Sequence, residues 1–286
     1  MQNKNKNTAT ITAFVPGNIS CFFKPYPQKN PRWSGSYGLG FTVNEGVKVT
    51  VSMARKTEIF FNEKKIDLPT VSFVINKLTK NPVHISITSQ LPLGSGFGLS
   101  GASALATAYA LNKLLKLGKT KKQLAVLAHT ADAFEKTGLG DVVNQYFGGF
   151  LLKTQPSSKF QAEKFSTTNI PIYWYSFGTL LTKGVLSSKD LLETIDKSAD
   201  RALMAIEHLR KLNGITLAEI LDISYEFVKT SRLLRDERTS EMIEKIRADG
   251  GHASMIVVGN AVMSDASFPG SKKLMISDTA AHVIAD

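Results

Sequence analysis

The sequence contains one cysteine, Cys21, among 286 residues. An internal disulfide is therefore excluded, and a single thiol fits the reducing cytoplasm. No apolar stretch approaches the roughly eighteen residues of a membrane-spanning helix, and the polar start MQNKNKNTAT lacks the apolar core of a secretion signal. No cluster of Cys and His has the spacing of a zinc site. We therefore expect a cytoplasmic chain with no membrane partner and no zinc.

Acidic residues are also scarce, because 24 Asp and Glu oppose 35 Lys and Arg and leave a formal charge of +11. Three interpretations are open: a nucleic-acid partner, attraction of anionic substrates, or a solvated basic surface. The lysines are scattered, and no basic stripe carries interleaved aromatic residues. This pattern favours the last two interpretations, so we expect no nucleic-acid partner.

The hydrophobic pattern predicts a mixture of strands and helices. Strands are predicted at 46–53, 57–61, 83–88, 254–258 and 261–263, the last two forming a hairpin around Gly259-Asn260. Helices are predicted at 68–78, 102–117, 120–136 and 188–212, with capping boxes at Thr120 and Thr216. The second helix is expected to end at Gly118. The chain is therefore α+β, with two predicted lobes, 1–160 and 161–286.

A glycine-rich segment, LPLGSGFGLSGA at 91–102, lies between a predicted strand and a predicted helix. Such a loop lets backbone N–H groups at a helix start approach a phosphate. It is not a Walker A loop, because Ala102 stands where that motif requires Lys. It matches G-x-G-x-x-G, but the acidic residue expected about twenty residues later in a dinucleotide-binding fold is missing. The segment therefore favours a phosphate-binding loop of another kind, with a structural loop that binds no ligand as the alternative.

Three segments together resemble the GHMP kinases, a superfamily of small-molecule kinases. The segment 92–102 resembles their P-x-x-x-G-L-G-S-S-A loop, AFVPGN at 13–18 resembles their A-P-G motif, and GLGD at 138–141 with Gly148-Gly149 resembles their G-x-x-D segment. Within the superfamily, the archaeal pantoate kinases are most similar. VPGNISCFF at 15–23, GSYGLG at 35–40, TGLGDV at 137–142 and ASM at 253–255 carry that resemblance, which spans about 9–265.

The resemblance implies a GHMP kinase fold, with a ribosomal S5-like N-terminal lobe and a ferredoxin-like C-terminal lobe. It also implies phosphorylation of pantoate to 4-phosphopantoate by ATP with Mg²⁺, in archaeal coenzyme A biosynthesis, and a homodimer as a common assembly. Another GHMP kinase, for homoserine or a mevalonate derivative, is the first alternative. An S5-like nucleic-acid-binding protein and a non-catalytic ATP sensor are the others.

The resemblance also implies roles for particular residues. Asp141 is expected to be the catalytic base, with a helix cap as its alternative role. ATP is expected to contact Gly94, Ser95, Gly96, Gly98, Ser100, Gly101, Ala102 and Thr182. Mg²⁺ is expected on Ser100 and Asp132, with Glu135 as the alternative acid. Pantoate is expected to contact Lys153, Ser36 and Asn18. In this chain Asn18, Asp132 and Lys153 replace the usual His, Glu and Arg.

Overall fold

The computed structural model describes residues 9–165, 169–179, 189–212 and 215–285. The strands in these ranges are β1 (Thr10–Tyr26), β2 (Gly35–Met53), β3 (Glu58–Phe61), β4 (Lys64–Lys65), β5 (Val83–Thr88), β6 (Phe150–Lys153), β7 (Glu163–Phe165), β8 (Pro171–Gly178), β9 (Ala253–Met255), β10 (Asn260–Ser264), β11 (Lys272–Met275) and β12 (His282–Val283). The helices in the same ranges are α1 (Pro69–Leu78), α2 (Leu99–Leu114), α3 (Lys121–Phe134), α4 (Asp141–Phe147), α5 (Lys189–Leu212), α6 (Leu217–Thr230) and α7 (Glu237–Ala248). The α+β expectation is confirmed.

The first sheet has the strand order β12-β1-β2-β5-β3-β4, and β6 joins β2 with β7 beside it. Most neighbours are antiparallel, but β3 and β5 are parallel. β2 shows the predicted alternation, since Val47, Val49 and Val51 are fully buried. β1 changes register between Pro16 and Asn18. Such a bulge redirects the side chains beside it, here in the middle of the strand.

α2 lies at the centre of the first lobe and contacts β1, β2, α1 and α3. It begins at Leu99, three residues earlier than predicted, because the glycine loop turns directly into the helix at Gly98. Its end was also predicted wrongly. The last turn closes at Leu115, and Lys116 (φ 51°) takes the left-handed conformation that ends the helix, two residues before Gly118, which is also left-handed (φ 68°).

The second sheet has the order β11-β8-β10-β9 and is entirely antiparallel. α6 and α7 pack on it, and α5 packs on α6 and β1. The predicted hairpin is confirmed, but its turn is formed by residues 256–259 and Asn260 already belongs to β10. Within the turn, Gly259 N donates to Ile256 O at 2.9 Å. Both capping boxes are confirmed at Thr120 and Thr216. Their hydrogen bonds join residues three apart, so the short sequence motif suffices to predict them.

Two short strands of the predicted second lobe lie in the first sheet. β7 pairs with β6 in the first sheet, and β12, at the end of the described chain, pairs with β1. The division at residue 160 therefore stays a prediction. Within the described ranges, no helix has both the length and the apolar character needed to cross a bilayer.

Candidate active site

A cleft opens where the start of α2, the end of α3 and the start of α4 meet. The β9–β10 turn closes one side of it through Val257 and Val258, and Phe22 and Phe23 of β1 form part of the wall. Polar groups from all of these helices converge here, beside the aromatic and aliphatic side chains of the wall. A concave site with a few convergent polar groups is the usual form of a small-molecule site.

The glycine loop forms the floor of the cleft. Gly94, Gly96 and Gly98 have φ values of 78°, 86° and 62°, which only glycine adopts easily. The first α-helical hydrogen bond of α2 runs from Ala102 N to Gly98 O at 3.0 Å. The N–H groups before Ala102 therefore have no partner within the helix and carry its positive dipole end. This arrangement can bind a phosphate.

Contacts on two sides hold the loop in place. Asn18 N donates to Phe97 O at 3.0 Å. The Phe97 ring packs edge-on against Trp174 of β8, with centroids 4.9 Å apart. A Cβ at Gly96 would lie 2.7 Å from Ile256 Cγ2. The loop is thus held between the first and second sheets, and its shape depends on both.

Asp132 and Asp141 converge beside this loop. A Cβ at Gly138 would lie 2.3 Å from Asp132 Oδ2 and 2.8 Å from Asp141 Oδ2. A Cβ at Gly101 would lie 3.0 Å from the same Asp132 oxygen. The two carboxylates therefore share a small space that glycines keep open.

The surroundings of Asp132 disfavour its charge. It is 1% exposed, and burial together with the negative charge of Asp141 raises its pKa. The hydroxyl of Thr137 donates to Asp132 Oδ1 at 2.5 Å and partly opposes this effect. Glu135, the alternative acid, is the C-cap of α3 and does not line the cleft.

Asp141 is the first residue of α4 but does not cap it. The N-cap is Gly140, which makes no side-chain capping bond. Instead, Asp141 Oδ1 accepts a hydrogen bond from Asn18 Nδ2 at 2.6 Å. Burial raises the pKa of Asp141, whereas Asn18, the Lys153 charge and Ser20 oppose that rise. Asn18 thus holds Oδ1, while Oδ2 lies beside Gly138 in the cleft, where a carboxylate can act as a proton acceptor.

Lys153 brings a cation to the cleft, near Gly140 and Ser36. It is the last residue of β6, is 3% exposed, and donates from Nζ to Asn144 Oδ1 at 2.7 Å. Burial lowers its pKa to about 8, and the nearby Asp141 opposes this shift. Because an ammonium group has three donors, Lys153 can also bind a carboxylate.

The structure gathers most of the residues expected from the sequence. The cleft is lined by Ser36, Gly94, Gly96, Gly98, Ser100, Gly101, Asp132, Asp141 and Lys153. Asn18 is fully buried behind Asp141. Ser95 turns toward the second sheet, donating to Gly178 O at 3.2 Å, and Ala102 is buried inside α2. Thr182 lies outside the described residues.

Sequence reasoning missed several polar residues of the site, including Ser20 beside Asp141. Thr137 fixes Asp132, and Asn144 holds Lys153. Asn144 had a usable signal, because it lies three residues after Asp141 on one helix and therefore on the same face. The sequence also allows Ser100 to be the N-cap of α2, but Ser100 is the second residue of this helix and the N-cap is Gly98.

Comparison with known proteins agrees with this geometry. The family model for the GHMP kinases N terminal domain matches residues 67–149. A pantoate kinase of Methanocaldococcus jannaschii is 32% identical, covering 87% of this chain and 90% of its own. A pantoate kinase of Methanospirillum hungatei is 30% identical, covering 79% and 78%. A solved phosphotransferase related to the CoA biosynthesis pathway has a TM-score of 0.81 at 24% identity, over 96% of this chain and 98% of its own.

The glycine-loop cleft and the fold define a GHMP kinase, one of the small-molecule kinases that use ATP as cosubstrate. The expected GHMP kinase fold is confirmed. Within the superfamily, the chain belongs to the pantoate kinase family.

Proposed function

We propose that this chain transfers the γ-phosphoryl group of ATP to the 4-hydroxyl of pantoate, giving 4-phosphopantoate and ADP. The observation that carries the proposal is the buried Lys153 in the same cleft as the two converging carboxylates and the glycine loop. Curated relatives that align over most of this chain are named pantoate kinase. We place the reaction in archaeal coenzyme A biosynthesis and in the cytoplasm, where ATP is available.

Each part of the site has one task in this reaction. Backbone N–H groups of the loop and of the α2 start bind the ATP phosphates. Lys153 pairs with the pantoate carboxylate, and Ser36 lines the cleft beside it, since a Cβ at Gly140 would contact both side chains. The 4-hydroxyl oxygen attacks the γ-phosphorus, the bond to the β-phosphate oxygen breaks, and Asp141 accepts the hydroxyl proton.

The residues present fit a Mg²⁺ ion. Two carboxylates converge at Gly138, and both have raised pKa values that a nearby cation would lower. Among the described residues, no group of three or more His, Cys, Asp or Glu could hold a metal ion. Mg²⁺ needs only one or two carboxylates when phosphates and waters complete its shell. Asp132 and Ser100 would hold it, and it would neutralise charge on the phosphates.

Lys153 by itself does not select pantoate, because homoserine and mevalonate also carry a carboxylate. The choice is tested by ADP release from ATP and Mg²⁺ with pantoate, homoserine, mevalonate and no acceptor. We expect turnover with pantoate and its loss in Asp141→Asn. Lys153→Met should raise the KM for pantoate. Lys113→Met is its control and Asp67→Asn is the control for Asp141→Asn, because each removes the same charge at an exposed position and should leave the kinetics unchanged.

Other outcomes would redirect the proposal. Turnover with homoserine or mevalonate alone would keep the kinase and refute the pantoate assignment. Nucleotide binding without turnover would favour the sensor alternative. Tight, salt-sensitive binding of RNA or DNA would contradict our expectation that this chain, despite its formal charge of +11, has no nucleic-acid partner. A homodimer stays a prediction, to be checked by light scattering.

A further inference from the structure

Four polar side chains of the site form one continuous chain of hydrogen bonds. Lys153 Nζ donates to Asn144 Oδ1 at 2.7 Å. Asn144 Nδ2 donates to Asn18 Oδ1 at 2.8 Å. Asn18 Nδ2 donates to Asp141 Oδ1 at 2.6 Å. The line therefore joins the ammonium group of Lys153 to the carboxylate of Asp141.

The two ends determine how both amides point. An ammonium group is only a donor, so Asn144 must turn its oxygen toward Lys153. Its NH₂ group then faces Asn18, which must accept with its own oxygen. Asn18 consequently presents its NH₂ group to Asp141, whose Oδ1 accepts the hydrogen bond. Reversing either amide would break two of the three hydrogen bonds.

The packing around Asn144 keeps this orientation. Asn144 is fully buried. It lies opposite Gly40 of β2, where a Cβ would approach Asn144 Nδ2 to 3.0 Å. Asn144 and Asp141 belong to one turn of α4, whereas Asn18 follows the register change in β1. Asn144 is thus the side chain through which β6, α4 and β1 meet.

We propose that Asn144 is a positioning residue that couples Lys153 to Asp141 through Asn18. In terms of the proposed function, on which this inference rests, Asn144 keeps the carboxylate-binding end of the site in register with the proton-accepting end. A hydroxy acid whose carboxylate is bound by Lys153 then has its hydroxyl group at Asp141. Asn144 contacts neither reacting group itself.

The kinetic test uses Asn144→Leu, which has a similar shape but no hydrogen bonds. We expect kcat to fall at least about tenfold, because small misplacements of reacting groups are costly. The KM for the acid should rise, and the KM for ATP should stay within about twofold. Asn144→Asp, which retains an acceptor for Lys153 but cannot donate to Asn18, should also lose kcat. Asn112→Ala is the matched control, since Asn112 holds only the Lys119 backbone.

A double-mutant cycle separates positioning from a structural role. If Asn144 acts through Asn18, adding Asn144→Leu to Asn18→Leu should reduce kcat little further. Additive losses, or a folded Asn144→Leu or Asn144→Asp enzyme with kcat within about threefold of wild type, would overturn the inference.

A spectroscopic test needs no turnover, so it remains decisive even if pantoate proves not to be the substrate. The side-chain NH₂ signals of Asn18 are followed by ¹⁵N NMR. Lys153→Met should shift these signals in the wild-type background and leave them unchanged in Asn144→Leu. Equal shifts in both backgrounds would refute the coupling through Asn144. A wild-type enzyme that does not turn over pantoate would refute only the proposed function.

Discussion

Replacing Gly138 with alanine tests whether the two carboxylates act together. The new Cβ would lie 2.3 Å from Asp132 Oδ2 and 2.8 Å from Asp141 Oδ2, well inside contact distance. Asp132 has little room to move, because Gly101 lies on its other side and Thr137 holds its second oxygen. The substitution must therefore displace at least one carboxylate.

The expected magnitude follows from that displacement. A misplacement of about 1 Å in a phosphoryl-transfer site lowers the rate by about 100-fold. Overpacking of this kind also lowers the free energy of unfolding by about 1–3 kcal/mol. We expect kcat/KM for Gly138→Ala to fall by about two orders of magnitude, measured by ADP release, while thermal unfolding shows a folded and moderately destabilised enzyme.

Gly118→Ala is the matched control. Gly118 has a φ of 68°, and a Cβ added there would meet no atom within 4 Å, so alanine strains the backbone and touches no neighbour. It should cost about 1–2 kcal/mol of stability and leave kcat unchanged. If folded Gly138→Ala kept kcat within about threefold of wild type, the idea of a shared, sterically limited carboxylate pair would be refuted.

Three further predictions concern other parts of the molecule. Because burial lowers the pKa of Lys153 to about 8, its ammonium form is present below that pH and lost above it. We therefore expect kcat/KM for pantoate to fall as the pH rises through about 8, and Lys153→Arg to remove this step from the pH profile. Thr216→Ala removes the cap that Thr216 provides to Glu219 N, so the unfolding free energy should fall by about 1 kcal/mol with kcat unchanged, and an unaltered melting temperature would contradict this. Cys21 is fully buried and burial raises its pKa, so it should resist a thiol reagent in the native protein and react in denaturant; rapid native labelling would refute its burial.

The features that sequence reasoning predicted well are local ones. The capping box at Thr120 joins residues three apart, and the strand β5 has a simple alternation of buried and polar positions. The glycine loop was recognised because its residues are adjacent in the chain. In each case the interaction and the motif occupy the same short segment, so the motif carries the information.

The features that sequence reasoning missed depend on distant segments. β1 is one long strand with two register changes, which no alternation in its own sequence reveals. β12 returns from the end of the chain to pair with β1. Asn144 holds Lys153 nine residues away and Asn18 at a separation of 126. Such pairings are set by how the sheets and helices pack, and local patterns do not encode them.

The sequence by itself determined the superfamily, the phosphate-binding loop and the candidate acids, because these depend on residue types at short fixed spacings. Only the tertiary structure decided that Asp132 and Asp141 share one glycine-lined space, and that Lys153 reaches Asp141 through two amides. The physical reason is burial: packing removes water from these groups, so each charge and each amide must find its partner in another element of the fold.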